Sequence, residues 1–436
     1  MGITLALLVS FTTNADQQPN KNPDIELSKS EQGDWAVTYT LEKPASKLVF
    51  LRNPDQSRVE RWTPKDAGFA LQADEQGEYI VRLDGEPFSR VSFSLTPTYR
   101  SLLKDYAPFS PFSDGGSLAY SGRFFTCVDS CEFAENQWRF TAAPPANEHV
   151  IVNGAIHTEA VSWNDQDSGR NLYIGQQHPI EGASFVALID DKLPDILKSV
   201  LDAQLPQFMA YFSQKLGVVA GAKPMLFASY SNKPGSSSQG GTLPNQIFMH
   251  WDFDDLEDRI QSQQYVDQTL WFFAHEAAHF FQRTPSGESL FGESEQSWIH
   301  EGGADYLAMM AVRDMYPKMQ SYIDTKVEQY QQHCASGLTE TALIEAGSKG
   351  QFMLYYSCGF FVHKALDEEI RSQSQNQKSI VDLWHVFGQQ VDAGNVSGAD
   401  TFWQAASAFL PAESVAQKQA VLNDSTLDPE RFWLMF

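Results

Sequence analysis

Two hydrophobic periods divide this chain. From residue 24 to about 185, short runs of β-forming residues dominate. Val91-Ser92-Phe93-Ser94-Leu95 alternates strictly, and Val37-Thr38-Tyr39-Thr40-Leu41 closes a strand that begins at Trp35. Lys47 to Leu51 and Glu78 to Leu83 add further strands, with Asp84-Gly85 as a hairpin-type turn between two of them. Short strands at this spacing predict a sandwich-like β domain. Near residue 190 the period lengthens to that of a helix. Leu193, Ile196, Leu197, Val200, Leu201, Leu205, Phe208, Phe212 and Leu216 fall at helical spacing between Asp190 and Gly217. Pro194 suits a first turn, Pro206 kinks or divides the helix, and Gly217 is a C-cap.

The helical part continues after two more strands. Pro224 to Tyr230 reads as a strand, 232 to 241 as a Gly/Ser-rich loop, and Gln246 to Trp251 as a second strand. Helices follow over about 256–283, 295–316 and 350–371, and Pro317 stops the middle one. Residues 373–436, with Leu383-Trp384-His385-Val386-Phe387 and Phe402-Trp403, read as a few packing helices. The fold class is therefore α+β, with a β-rich N-terminal region and a mainly helical remainder.

Composition narrows the class. At 436 residues the chain has room for two or three domains, and 42% hydrophobic with 13% aromatic content is that of a globular protein. A formal net charge of −24 argues against nucleic acid and anionic membranes as partners. Residues 1–15 read as a signal peptide, with an apolar stretch from Ile3 to Phe11 and small residues after it, although no Lys or Arg precedes Lys21. The expectation is an exported protein, periplasmic or secreted. No other segment has the apolar length to span a bilayer. Four cysteines allow three connectivities. Proximity in sequence favours Cys127 with Cys131 and Cys334 with Cys358, and free thiols are the alternative.

The candidate chemistry lies in His275-Glu276-Ala277-Ala278-His279. On a helix, residues four apart share a face, so His275 and His279 can bind one zinc ion while Glu276 reaches the attacking water. By chance the HExxH pattern arises in roughly one chain in seventy with this many histidines. The motif sits between Leu270-Trp271-Phe272-Phe273-Ala274 and Phe280-Phe281, so its polar groups are buried and need partners. Glu301 is the natural third ligand. Asp305, one turn on, can accept the second N–H of a ligating histidine. Gly302, Gly303 and Ala304 imply close packing against the HExxH helix. Tyr355 and Tyr356 can each offer an O–H to a developing oxyanion, or both can be core residues. His149, His157, His178, His333, His363 and His385 lack ligand-spaced partners, and His300 points away from Glu301 around the helix.

This set of motifs resembles the gluzincin metallopeptidases, in particular the aminopeptidase-N-like and glycyl aminopeptidase families. Their Asn-Glu-Gly-Phe-Ala-acid motif is matched by His300-Glu301-Gly302-Gly303-Ala304-Asp305, and their catalytic Tyr, three residues before a Gly, by Tyr356 and Gly359. The resemblance spans most of 25–370, with its specific motifs between 275 and 359. It implies a β-rich domain over 24–185, a thermolysin-like, mainly helical zincin domain over 186–372 and a short helical tail over 373–436. It also implies one zinc ion per chain on His275, His279 and Glu301, with Glu276 as general base and Tyr356 as oxyanion donor. Peptide or protein substrate would lie along Gly240, Gly241 and the segment to Asn245. Three departures stand out. The gap of 21 residues between His279 and Glu301 is a few longer than usual. Gly241-Thr242-Leu243-Pro244-Asn245 lacks the Glu that holds a substrate's free amine, which leaves an endopeptidase open beside an aminopeptidase. Only about 65 residues follow the tyrosine helix. A zinc-bearing binding protein without catalysis is the reading from another class.

Overall fold

The computed structural model describes residues 21–99, 102, 105–132, 134–218, 221–233, 235–290, 296–425 and 428–436. The expected signal peptide lies outside them. The chain forms two compact units. One takes in the residues up to Phe109, Ala119–Val150 and His157–Ile174; the other takes in Ser110–Leu118, Ile151–Ile156 and Gly175–Phe436.

The first unit is β-rich. Six strands run in the order Val161–Gln166, Gln137–Ala143, Asp24–Lys29, Trp35–Ala45, Phe88–Leu95 and Trp62–Pro64. Four more run in the order Thr126–Val128, Lys47–Phe50, Gly77–Arg82 and Phe69–Asp74. The alternation at Val91 to Leu95 is realised: Val91, Phe93 and Leu95 are buried, while Ser94 faces solvent. Val37 pairs with Phe93, and both are fully buried. Burying such side chains stabilises by about 1.5–3 kcal/mol each. One expectation is corrected. Asp84-Gly85 makes no hairpin, because Gly77–Arg82 already has a partner on each edge and Phe88–Leu95 belongs to the other sheet. A turn signal specifies a reversal of the chain, not the strand that it will meet.

The second unit opens with a five-stranded sheet in the order Ile180–Glu181, Val186–Ile189, Met225–Tyr230, Gln246–Phe253 and Ser236–Leu243. Met225–Tyr230 is parallel to both neighbours and buried along its whole length, as a central strand of such a sheet should be. The expected loop at 232–241 is in fact largely strand, since Ser236–Leu243 forms the antiparallel edge. Gly and Ser disfavour strands intrinsically, yet here the glycine is needed. A Cβ on Gly240 would stand 2.5 Å from Phe272 Cζ and 2.6 Å from Met249 Sδ. Between Pro194 and Gly217 the helix is divided as Pro206 predicts. A π-helical turn at Val200–Gln204 precedes the helix Leu205–Leu216, and Gly217 ends it at φ 98°.

Then come the HExxH helix Gln263–Phe281, the glutamate helix Gly303–Met315 with a π-helical entry at Trp298–Gly302, the helix Gln320–Gly337, and the tyrosine helix Met353–Gln373. Four shorter helices close the chain: Ile380–Asp392, Ala399–Ala406, Ala412–Leu422 and Pro429–Met435. Both expected disulfides form, Cys127–Cys131 and Cys334–Cys358. The second ties Gln320–Gly337 to the tyrosine helix.

The glutamate helix packs on the HExxH helix as expected, but the two glycines after Glu301 make their tightest approaches elsewhere. Gly302 lies against the tyrosine helix, where a Cβ would come within 2.2 Å of the Gly359 carbonyl carbon. A Cβ on Gly303 would meet Trp384 at 2.6 Å. This contact sets how near Glu301 and Tyr356 can lie. Gly302→Ala should lower stability by about 1–3 kcal/mol through overpacking against backbone, read as a drop in thermal midpoint. An unchanged midpoint would show that the two helices can separate freely.

Candidate metal centre and cleft

The HExxH helix buries His275, Glu276 and His279 almost completely, each only 6% exposed. Buried imidazoles and carboxylates need partners on every side, and the structure supplies them from behind. Trp271, one turn before His275, donates its indole N–H to Asp305 Oδ1 at 2.8 Å. His275 Nδ1 lies 3.0 Å from the same oxygen, and the Tyr330 hydroxyl donates to Asp305 Oδ2 at 2.6 Å. For His279 the partner is Gln282, with Nδ1 2.7 Å from Oε1. Gln282 donates its amide N–H to the His300 carbonyl at 2.8 Å, which turns Oε1 toward His279.

These contacts decide the tautomers. A carboxylate and an amide oxygen only accept, so both Nδ1 atoms carry the proton. Both Nε2 atoms then present bare lone pairs. They face each other at 2.9 Å, with Glu301 Oε2 at 3.3 Å from His275 Nε2 and 3.2 Å from His279 Nε2. Three acceptors converging without a proton between them are electrostatically unfavourable unless a cation joins them. Ligands at about 2.0–2.1 Å on a tetrahedral zinc ion lie about 3.3 Å apart, so this donor set fits zinc and leaves one side open. His275, His279 and Glu301 are also the one such group of ligating side chains found among the described residues.

The electrostatics agree with that geometry. Burial opposes charge on His275, yet Asp305 and Glu301 outweigh it and raise its pKa well above the ordinary value. Burial likewise opposes charge on Glu301, while His279 and His275 hold its carboxyl well below the usual carboxylate range. Glu276 behaves differently. Burial pushes its pKa up, against the pull of both histidines. A carboxylate with a raised pKa beside a cation site is suited to taking and returning a proton.

The tyrosines separate. Tyr355 is core, and its hydroxyl accepts the Gly347 N–H at 2.8 Å. Tyr356 is half-buried and lays its ring beside His275, with centroids 5.6 Å apart and planes 22° from parallel. His300 is buried, and burial drives its pKa down to about 3, so it stays neutral. Gly240 and Gly241 lie in the edge strand, opposite Met249 and Phe248. Asn245 occupies the tight turn after that strand at φ 57°, and its side chain reaches the Lys223 carbonyl at 3.5 Å. Thr242, from the same strand, donates its hydroxyl to Glu276 Oε2 at 2.7 Å.

Four of these residues escape a reading of the sequence: Trp271, Gln282, Tyr330 and Thr242. Trp271 and Gln282 lie one turn before His275 and after His279, so helical spacing could have suggested them. Tyr330 and Thr242 are 25 and 34 residues from their partners, and no local signal marks them.

No family model and no curated protein matches the chain by sequence. Its fold does match solved structures. An aminopeptidase N family protein from Idiomarina loihiensis is 12% identical with a TM-score of 0.63, over 94% of this chain and 78% of that one. An M1 zinc metallopeptidase from Deinococcus radiodurans, bound to a Tyr-Ser-Ala substrate, is 14% identical with a TM-score of 0.53, over 95% and 96%. Leukotriene A4 hydrolase from Saccharomyces cerevisiae is 12% identical with a TM-score of 0.54, over 95% and 69%. The architecture of this chain is thus that of the aminopeptidase-N-like zinc metallopeptidases, with β-rich sheets first and a mainly helical region after. No described helix is long and apolar enough to cross a membrane.

Replacing Asp305 or Gln282 by Leu leaves the ligands in place but releases their tautomers. Either change should weaken zinc affinity by about 10–100-fold, measured by chelator competition on protein whose helicity is unchanged. Affinity within about twofold of the parent would show that these partners do not hold the site.

Proposed function

We propose that this chain is a zinc-dependent peptidase of aminopeptidase-like build, with one zinc ion held by His275, His279 and Glu301. The observation that carries this reading is the convergence of three ligating atoms next to a buried glutamate and an edge strand. Zinc in this site would polarise the substrate carbonyl and make the attacking water more acidic. The chain's own residues do the rest. The outer edge of Ser236–Leu243 offers backbone groups to an extended peptide as an added strand. Glu276 takes a proton from the water and later delivers it to the leaving nitrogen. Tyr356, beside His275, offers its O–H to the carbonyl oxygen as charge builds on it. Asp305 and Gln282 keep both histidines in the tautomer that presents a lone pair.

Export is part of the same proposal. Two disulfides support an oxidising location, periplasmic or extracellular. A second reading concerns the mode of cleavage. Ser236–Leu243 carries no charged side chain, so this strand supplies no carboxylate to fix a substrate's free amine. That favours an endopeptidase, or an enzyme tolerant of blocked N-termini.

Glu276→Gln should keep its zinc and lose turnover by about 10²–10⁴-fold, measured on a mixed peptide library with metal analysis in parallel. Full activity in that variant sinks the peptidase mechanism. Zinc without cleavage in the parent protein would leave a peptide-binding role. On matched substrates, N-acetylated peptides should be cleaved as readily as free ones. Cleavage confined to free N-termini would return the reading to an aminopeptidase with its amine anchor elsewhere.

A further inference from the structure

We infer that Thr242 is the positioning residue of Glu276, and that its hydroxyl holds the general base in both of its protonation states. The inference rests on the peptidase reading for its consequence in catalysis, and on geometry for its substance. Thr242 sits in the edge strand opposite Ile247. Its Oγ is 2.7 Å from Glu276 Oε2 and 3.1 Å from the Glu276 main-chain oxygen. Glu276 is buried, and Thr242 is the one hydrogen-bonding partner of its carboxylate among the described residues. A buried carboxylate with a single donor depends heavily on it, because the alternative is an unsatisfied charge in a dry site.

A hydroxyl has one proton and can also accept. While Glu276 is ionised, the Thr242 proton points to Oε2, the shorter and charged contact. Once Glu276 has taken a proton from the attacking water, Oε2 can donate to Thr242 Oγ. The Thr242 proton then turns to the main-chain oxygen at 3.1 Å. The transferred proton moves from water to Glu276 and on to the leaving nitrogen, and the Thr242 proton never leaves its own oxygen. Neither an apolar side chain nor a pure donor can serve both states. Thr242 also belongs to the strand proposed to pair with the peptide, so the docking of substrate and the placement of the base share one backbone.

The test compares Thr242→Val, which keeps the shape and removes the hydroxyl, with Thr242→Ser, which keeps the hydroxyl. The valine variant should lose about 10–100-fold in kcat, the scale of a base misplaced by about an ångström, with KM and zinc content unchanged. The serine variant should recover most of that loss. Crystal structures should show the Glu276 carboxylate displaced in the valine variant and in place in the serine variant. The inference is overturned by any of three results. They are a valine variant that keeps its kcat and its Glu276 position, a serine variant that fails as valine does, and the joint loss of zinc and activity, which marks a merely structural role. A parent protein that cleaves no peptide defeats the peptidase reading alone, since the position of Glu276 in the valine variant still decides this one.

Discussion

Two imidazoles whose Nε2 atoms face each other at 2.9 Å are the constraint on which the rest of this molecule depends. Left to themselves they would turn apart or share a proton. They are held by acceptors placed behind them, Asp305 for His275 and Gln282 for His279. Those acceptors are held in turn, Asp305 by Trp271 and Tyr330, and Gln282 by the His300 carbonyl. Each added layer reduces the freedom of the one inside it. A site meant for a cation must be built this way, because its ligands repel one another until the cation arrives.

Packing does for Glu301 and Tyr356 what hydrogen bonds do for the histidines. Their helices meet glycine on glycine, Gly302 against Gly359. The Cys334–Cys358 disulfide then ties the tyrosine helix to the helix that carries Tyr330. His333, one residue before Cys334, adds a contact of 3.1 Å to Ser357. One rigid group of helices therefore carries a metal ligand, the tyrosine beside His275, and the hydroxyl that steadies Asp305. The π-helical turn at Trp298–Gly302 fits the same logic. It widens the backbone where Glu301 leaves it, and such turns gather at functional sites.

How much of this was legible in the sequence follows from what kind of information each part needs. Strict alternation at Val91 to Leu95 and the stripe from Leu193 to Phe212 were enough to place elements, since burial of one face is a local pattern. HExxH and the acidic pair Glu301 and Asp305 were legible because their spacing alone brings them to one face of a helix. Ser236 to Gly241 read as a loop because its glycine looked like flexibility, when it answers to the bulk of Phe272. The helix Gln320–Gly337 left little trace, since it buries only Ile323, Tyr330 and Cys334. The small residues after Glu301 announced a close approach and suggested the HExxH helix as its partner, although Gly302 meets Gly359 of the tyrosine helix. Thr242 and Tyr330 reach their partners only through the tertiary fold.

The same arrangement sets a contest between protons and metal. With no cation present, the carboxylates around His275 favour its charged form, and the imidazoles favour the charged form of Glu301. A proton is therefore the nearest substitute for the metal, and binding zinc must expel it. Glu276 stands apart from that exchange. It faces the same histidines, yet burial prevails and lifts its pKa, while Glu301 is drawn far down. Two glutamates within one site are thus driven in opposite directions by their surroundings. One becomes a permanent anion suited to ligation. The other, with a single hydroxyl to hold it, is left able to trade a proton.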